Sequence, residues 1–404
     1  MSGSVTVIAS SGVRRRAPVA MGACLASFAL FWVAQRAAHV SMIDLMVYRA
    51  EGLTVRAGGD LYALRTTDAR LPTTYPPFAA LLFTPLTLLD TATMRTLGTA
   101  GNLALLVVFV RLSLRLVGHA RVESVWWVAA VAVWCEPVWT TLRYGQINLL
   151  LAVLVLWDLS RRPADRWAGA AIGLAAAVKL TPALFAVFLL VTGAVARHRH
   201  GSGGPWLRHA CAAAASFAGA TLLAAAVLPY DSWRFWTRMV FAARRVGHAE
   251  DTANQALRGV LARLLHTPEP GAVWVVTAAV VAVAGLGMAV AAELRGMRAW
   301  AVTACAMTAL LVSPVSWSHH WVWCVPVVLL LATRAWRATA SGTLLVFSSY
   351  ALWWVPHGPG RHELHQKGIE LVMSAGYAAA GCLFLVIAGI SLGNPGRRQA
   401  VTKE

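Results

Sequence analysis

The stretch RRRAPVAMGACLASFALFWVAQRAA, residues 14–38, decides the fold class. Three arginines precede an apolar run that continues to Ala38, and a helix needs about 20 such residues to cross a bilayer. The arginines resemble the start of a signal peptide, but no small-residue cleavage site follows a short hydrophobic region. We therefore interpret the stretch as an uncleaved first span that begins in the cytoplasm.

The composition of the whole chain extends this interpretation. Of 404 residues, 58% are hydrophobic and 13% are charged, and the mean hydropathy is +0.62. A soluble protein of this size needs more charge on its surface. The net charge of +18 comes from arginines in short clusters between apolar runs, which predicts membrane topology and contact with anionic lipids, not a nucleic-acid partner.

The positions of the arginine clusters predict an all-α polytopic protein. Cytoplasmic connections are expected at residues 14–16, 111–121, 161–166, 197–208, 293–298, 334–337 and 397–403. Outer connections then fall near residues 39–75, 143–146, 179–182, 230–270, 316–320 and 356–367. This gives about twelve spans with both termini inside. Residues 78–89 are short and contain Pro85, so we expect them to re-enter the membrane instead of crossing it.

The predicted domain organisation is simple. Residues 1–392 form one integral membrane domain, the outer loops 39–75 and 230–270 carry site residues, and residues 393–404 form a cytoplasmic tail. The six cysteines have no metal-type spacing, so neither a zinc site nor a disulfide framework is indicated. No cofactor is predicted, and a requirement for a divalent metal is left open.

The first outer loop carries a carboxylate in an apolar setting. It reads HVSMIDLMVY over residues 39–48, and a helix that starts at Asp44 places Tyr48 one turn later on the same face. A carboxylate in such a setting is costly unless it is paired or used. The alternative is that Asp44 only caps a helix.

Lys179 is the second telling residue, because it is the only lysine inside the spanning region. It could be an interface lysine that reaches towards the headgroups, or a cation for an anionic group such as a phosphate. His319 and His320 could bind the same anion, although paired histidines also cap helices. With no third ligand evident, we expect hydrogen bonding and not metal coordination.

Other polar motifs are predicted at the same outer face. Each motif alone is weak evidence for a site, because prolines and amides often cap or kink spanning helices. All of them are predicted at the same face. They contain Tyr75, Glu136, Arg143, Gln146, Asn148, Tyr230, Asn254, Gln255 and Trp317.

In this order the motifs resemble glycosyltransferase family 87. The chain has DLMVY at 44–48, YPPF at 75–78, GQIN at 145–148, KLTP at 179–182, NQ at 254–255 and SPVSWSHH at 313–320. The family consists of actinobacterial mannosyltransferases of the membrane GT-C fold that use polyprenyl-phosphate-mannose. The resemblance therefore implies a bacterial plasma-membrane enzyme with its active site at the outer face.

The resemblance also implies an inverting reaction and a role for each candidate residue. A glycolipid or lipoglycan hydroxyl, of the phosphatidylinositol mannoside or lipomannan type, attacks the β-linked mannose and forms an α-(1→2) linkage. Asp44 would be the general base. The implied phosphate-binding residues are Lys179, His319, His320 and Arg143. The implied sugar- or acceptor-binding residues are Tyr48, Tyr75, Gln146, Asn148, Asn254, Gln255 and Trp317.

Three alternatives remain open from the sequence. A lipid or sugar transporter usually has repeat symmetry and a site near the midplane, and this chain has no internal repeat. A non-catalytic scaffold in envelope assembly would not need Asp44 or Lys179. A sister enzyme could use another lipid-linked sugar, such as arabinose, and the motifs separate these donors poorly.

Overall fold

The structure, a computed structural model, describes residues 11–119, 121–334 and 336–393, and these are mainly helical. The helices of this part are α1 (Ser11–Ala37), α2 (Ile43–Arg56), α3 (Pro77–Phe83), α4 (Thr91–Leu116), α5 (Val122–Ala132), α6 (Glu136–Tyr144), α7 (Asn148–Leu159), α8 (Ala170–Val178), α9 (Ala183–His200), α10 (Gly204–Val227), α11 (Pro229–Thr237), α12 (Leu257–Leu264), α13 (Gly271–Leu294), α14 (Arg298–Val312), α15 (Cys324–Thr333), α16 (Arg337–Ser348), α17 (Ile369–Ser374) and α18 (Gly376–Gly393). Short 3₁₀ segments lie at Thr84–Leu88, Met239–Phe241, Ala243–Arg245, Ser318–Trp323, Ala351–Trp353 and His362–His365. Residues 394–404 of the predicted tail lie outside the described residues.

Five described helices are long and apolar enough to cross a membrane: α1, α4, α10, α13 and α18. In their most apolar windows, α1, α10 and α13 bury only 17%, 22% and 22% of the residues inside the protein. Their outward side chains are large and apolar, which suits contact with lipid. The multi-pass membrane class predicted from the sequence is therefore confirmed.

A sixth candidate span is broken. Taken together, α5 and α6 are long and apolar enough to cross a membrane, but their axes are bent by 75° where they meet. Shorter apolar helices occupy residues 77–88, 148–159, 298–312 and 318–333. By length and composition, the described residues contain five crossings, or six if the bent pair is one span. The count of about twelve remains a prediction.

The segment expected to re-enter the membrane is short and largely buried. It consists of α3, whose seven residues include five buried ones, and the 3₁₀ turn that follows at Pro85. The turn packs against α2, and α3 packs against α2 and α10. A helix of this length is too short to span a bilayer, and its packing is compatible with the predicted re-entrant segment.

One apolar core runs through the helices from Cys24 to Leu392. Helix α14 lies in its middle, with nearly every residue buried, and packs against α9, α13 and α18. The other strong pairings are α1 with α5, α4 with α7, α10 with α8 and α9, and α15 with α16. These helices form the rigid frame that carries the loops above them.

The loop predicted to be the first outer connection contains a small departure from the all-α prediction. Arg65–Thr66 and Leu71–Pro72 form β1 and β2, a two-stranded antiparallel hairpin in which Arg65 pairs with Pro72. Helix α2 lies against α6, whose last turn ends at Gly145 with a left-handed φ of 70°. A Cβ there would lie 2.7 Å from Leu45 Cβ, so glycine allows the close approach that brings Gln146 beside α2.

Candidate active site

Helix α2 carries the predicted catalytic carboxylate near its amino-terminal end. Met42 is the residue that precedes the helix and makes no side-chain cap hydrogen bond, while Asp44 lies inside the first turn. The capping alternative therefore finds no support, and the Asp44 side chain lines a cavity. Tyr48, one turn further along α2, is buried on the same side.

Two tyrosines and one glutamine form a closed hydrogen-bonded group beside Asp44. The hydroxyl of Tyr48 donates to Gln146 Oε1 at 2.7 Å, and that of Tyr75 donates to the same oxygen at 3.1 Å. The two hydroxyl oxygens lie 2.9 Å apart. All three residues were predicted sugar- or acceptor-binding residues, and each one lines the Asp44 cavity.

Lys179 follows directly after α8 in an extended conformation and lines the same cavity. Its Nζ donates to Asn148 Oδ1 at 3.1 Å and lies 2.9 Å from His320 Nε2. An ammonium group only donates, so His320 accepts at Nε2 and carries its proton on Nδ1. The Lys179 charge also lies 5.5 Å from the centre of the Tyr75 ring, within the range of a cation–π contact.

Asn148 connects Lys179 to the turn that carries the histidine pair. Its Nδ2 donates to the backbone oxygen of His319 at 3.0 Å, and Thr141 Oγ1 donates to the same oxygen at 2.8 Å. Asn148 does not line the Asp44 cavity but borders a small adjoining one of about 50 Å³. It therefore orients Lys179 and does not face the main cavity.

Burial shifts the pKa values of two charged groups that line this cavity. Burial raises the pKa of Asp44 to about 6, although the Gln146 side chain and the Lys179 charge oppose the shift. Burial lowers the pKa of Lys179 to about 8, and the Asp44 charge opposes that shift. A carboxyl group with a pKa near neutrality is suited to accept a proton during a reaction.

The cavity has a volume of about 550 Å³ and three kinds of lining. Around Asp44 and Lys179 it is polar, with His319 and His320 also in its wall. A second polar end contains Asp251, His357 and Glu363. The third part is apolar and consists mainly of Leu180, Phe235, Met239, Val240, Ala242, Ala243 and Val246.

Four other predicted site residues have different outcomes. Trp317 lines the cavity, and its ring packs on Gly247, where a Cβ would lie 2.7 Å from the indole. Arg143 is exposed and outside the cavity lining. Asn254 and Gln255 are fully buried and also outside it, so the sugar-binding role expected for them has no geometric support.

The asparagine–glutamine pair instead joins three segments. Asn254 Oδ1 accepts from the backbone nitrogen of Ser316 at 3.0 Å. Gln255 Nε2 donates to the Ser374 oxygen at 2.6 Å, and its Oε1 accepts from the Tyr377 nitrogen at 3.1 Å. The pair therefore fixes the loop beside the cavity to the Trp317 turn and to the start of α18.

Sequence reasoning missed several lining residues. Tyr144 and Ser318 stand inside motifs that were recognised, and their positions next to predicted residues could have flagged them. Four others come from two loops far apart in the chain and carry no local motif: Asp251, Trp353, His357 and Glu363. The described residues contain no group of three or more His, Cys, Asp or Glu side chains placed to hold a metal ion.

The arrangement matches a class of membrane glycosyltransferase. Residues 74–314 match the family model of glycosyltransferase family 87, and the chain belongs to this family. No solved structure matches the chain.

Curated relatives cover most of the chain. A protein of Mycobacterium tuberculosis is 35% identical over 336 residues, which are 78% of this chain and 76% of the relative. Its name is polyprenol-phosphate-mannose-dependent alpha-(1-2)-phosphatidylinositol mannoside mannosyltransferase. A Mycolicibacterium smegmatis protein, named as the corresponding phosphatidylinositol pentamannoside mannosyltransferase, is 33% identical over 86% of this chain and 82% of its own length.

Proposed function

We propose that this protein transfers mannose from polyprenyl-phosphate-mannose to a hydroxyl of a phosphatidylinositol mannoside or a related lipoglycan, forming an α-(1→2) linkage. The observation that carries the proposal is that Asp44 and Lys179 line one cavity, where the charge of each affects the pKa of the other. One group is placed to accept a proton and the other to bind a phosphate. The names of the relatives supply the donor and the acceptor class.

The apolar part of the cavity supports a lipid-linked donor. It is formed by the segment from α11 to Val246, which also carries exposed aromatic residues such as Trp233 and Phe241. Aromatic side chains with arginines nearby are typical of membrane interfaces. The polyprenyl chain would leave through this side, and the phosphate would stay at Lys179.

The proposed reaction needs two partners from the protein. The acceptor oxygen attacks the anomeric carbon of mannose while the bond from that carbon to the phosphate oxygen breaks. Asp44 takes the proton of the acceptor hydroxyl, and polyprenyl phosphate leaves with the electron pair. Lys179, oriented by Asn148 and His320, stabilises the phosphate charge.

The outer membrane face is the proposed place of the reaction, with both termini in the cytoplasm and about twelve crossings. The support is that the connections assigned to the outside, which alternate along the chain with the predicted cytoplasmic ones, line one cavity. Residues from 39–75, 179–182, 230–270, 316–320 and 356–367 all contribute to its wall. We also propose that Asp44 is the catalytic base, that Lys179 binds the phosphate and that residues 1–392 form a single domain.

The test compares wild type with Asp44→Asn in lipid, using radiolabelled polyprenyl-phosphate-mannose and a phosphatidylinositol mannoside acceptor. We expect the substituted amide to keep the shape of the site but not to accept the proton, so that turnover falls at least about 100-fold. Asp68→Asn is the matched control, because Asp68 is an exposed carboxylate in the same loop.

Each outcome is informative. Normal turnover by the Asp44→Asn variant would refute the general-base role. If wild type transfers no label from this donor, the donor assignment is wrong and another lipid-linked sugar becomes the next substrate to examine. Transfer by both wild type and the Asp68→Asn control, with loss in Asp44→Asn alone, supports the reaction and the carboxylate together.

A further inference from the structure

The cavity that contains Asp44 continues to a second polar end that the proposed chemistry does not use. Asp251 lines it from the loop before α12, and Trp353, His357 and Glu363 line it from the segment between α16 and α17. These two loops are about 100 residues apart in the chain. Glu363 is buried, Asp251 and Trp353 are half-buried and His357 is exposed, so this end of the cavity is open to a ligand, and its polar groups are available to bind one.

The two carboxylates of this end line the same cavity and interact electrostatically. Burial raises the pKa of Asp251, and the negative charge of Glu363 raises it further. Asp251 Oδ1 accepts from the Ala253 nitrogen at 2.9 Å, and Glu363 Oε1 accepts from the Gly358 nitrogen at 3.0 Å. Within the described ranges, the second oxygen of each carboxylate accepts no hydrogen bond.

The same cavity wall contains a buried histidine nitrogen without a hydrogen-bond partner among the described residues. His319 is 7% exposed, lines the cavity, and its Nε2 has no hydrogen-bond partner in the described part of the chain. Its ring packs edge-on against Tyr144 at 5.5 Å. Tyr144 also lines the cavity, within electrostatic range of both Asp44 and Asp251.

The charge of the second end selects the kind of ligand. No lysine or arginine among the described residues lines the cavity at Asp251 and Glu363. Arg263 is near Asp251, but it is buried and donates to backbone oxygens, including that of Ser374 at 2.8 Å. An anionic group would be repelled here, whereas hydroxyl groups would donate strong hydrogen bonds to the free carboxylate oxygens.

The aromatic residues of this end suit a sugar ring. Trp353 Nε1 donates to Glu136 Oε1 at 3.0 Å, which fixes the indole, and the ring lies 5.6 Å from that of His357. A rigid aromatic face packs well against the C–H face of a sugar, while its polar edge stays bonded. Carboxylates for hydroxyls and an indole for the ring are the groups that recognise a neutral saccharide.

We propose that the Asp251–Glu363 end of the cavity is the acceptor-saccharide subsite, where these two carboxylates accept hydrogen bonds from hydroxyls of the acceptor's terminal mannose. His319 Nε2 is the remaining polar group for the sugar in the same cavity wall. The proposal rests on the proposed function. It divides the cavity by charge: the donor phosphate binds at Lys179, and the uncharged part of the acceptor binds at the acidic end.

Steady-state kinetics with a short-chain alkyl mannoside tests the subsite, because this acceptor has no phosphate. We compare wild type, Asp251→Asn, Glu363→Gln and the control Glu370→Gln, whose carboxylate accepts from the Lys367 nitrogen and lies outside the cavity lining. In the first two variants we expect the acceptor KM to rise about tenfold. The donor KM should stay at the wild-type value, which also reports an intact fold.

Calorimetric binding of the same mannoside, without donor, separates the subsite from the proposed reaction. A wild type that binds the mannoside in a Glu363-dependent manner but transfers no mannose would refute the proposed function and support the subsite. Equal acceptor KM and equal binding in Glu363→Gln and Glu370→Gln would overturn the subsite. A raised donor KM in Glu363→Gln, together with activity that depends on added Mg²⁺, would overturn it in favour of a cation site.

Discussion

At the residue scale, the charges of Asp44 and Lys179 predict a bell-shaped pH dependence of kcat/KM. Asp44 must be ionised to accept a proton, so activity should fall as the pH drops below about 6. Lys179 must be protonated to bind the phosphate, so activity should fall again as the pH rises above about 8. The measurement is kcat/KM for the lipid-linked donor across this range.

Lys179→Arg assigns the alkaline limb of that profile. Arginine keeps its charge far above neutrality, so a variant that retains activity should lose the fall above pH 8 and keep the fall below pH 6. The Asp68→Asn variant should reproduce the wild-type profile, because its carboxylate is exposed and outside the cavity. An alkaline limb that persists in Lys179→Arg would contradict the assignment to Lys179.

The same residues mark how far a sequence can predict a site. Asp44 and Lys179 were recognisable because a charge in an apolar setting must be paired or used, and the structure places both in one cavity. Asn254 and Gln255 are also polar residues in an apolar setting, but backbone groups of neighbouring turns satisfy them. Polarity alone does not tell which atoms of a loop turn inward.

Glu51 illustrates the same limit inside a helix. It lies two turns beyond Asp44 on α2 and is fully buried, and burial raises its pKa to about 8. Glu51 follows Asp44 by seven residues, which places it on the same face of α2. The sequence around it contains an arginine and a glycine, however, and resembles an exposed turn. Packing against α3 and the 3₁₀ turn after it buries that face.

At the element scale, one buried carboxylate beside the bend between α5 and α6 anchors the start of α6. Glu136 Oε1 accepts from Thr140 and Ser318 at 2.8 Å each and from Trp353 at 3.0 Å, and its Oε2 accepts from Tyr377 at 2.9 Å. The sequence motif marked Glu136 as polar, but the partners come from segments up to 241 residues away. No local pattern contains that information.

Glu136→Ala should therefore lower both stability and turnover. It leaves buried donors without partners, at about 1–3 kcal/mol for each one, and it loosens Ser318 beside the histidine pair. We expect a lower thermal midpoint in detergent and a lower kcat. Glu123→Ala is the control, because Glu123 lies on α5 away from this network and should stay within about 0.5 kcal/mol of wild type. A wild-type midpoint for Glu136→Ala would mean that the bend does not depend on these hydrogen bonds.

At the scale of the whole molecule, the charge pattern and the cavity make one joint prediction about the membrane face. The connections predicted to lie outside supply the cavity wall, whereas the connection between α7 and α8, predicted to lie inside, carries Arg161 and Arg162. Under the positive-inside rule the cavity opens outward and that connection lies in the cytoplasm. This charge pattern does not give the number of crossings. Helices such as α3, α6 and α8 are too short to span a bilayer, so counting helices does not give the number of spans.

Cysteine labelling decides the face. In intact spheroplasts a membrane-impermeant maleimide should label Asp68→Cys, at the exposed tip of the β1–β2 hairpin, and should label Arg162→Cys only after permeabilisation. The unmodified chain gives the background from its own cysteines, of which Cys211 is exposed on α10 and faces lipid by our assignment. If only Arg162→Cys is labelled before permeabilisation, the orientation of the protein in the membrane is the opposite of the proposed one. The site would then face the cytoplasm, and the lipid-linked donor would have to be presented on that side.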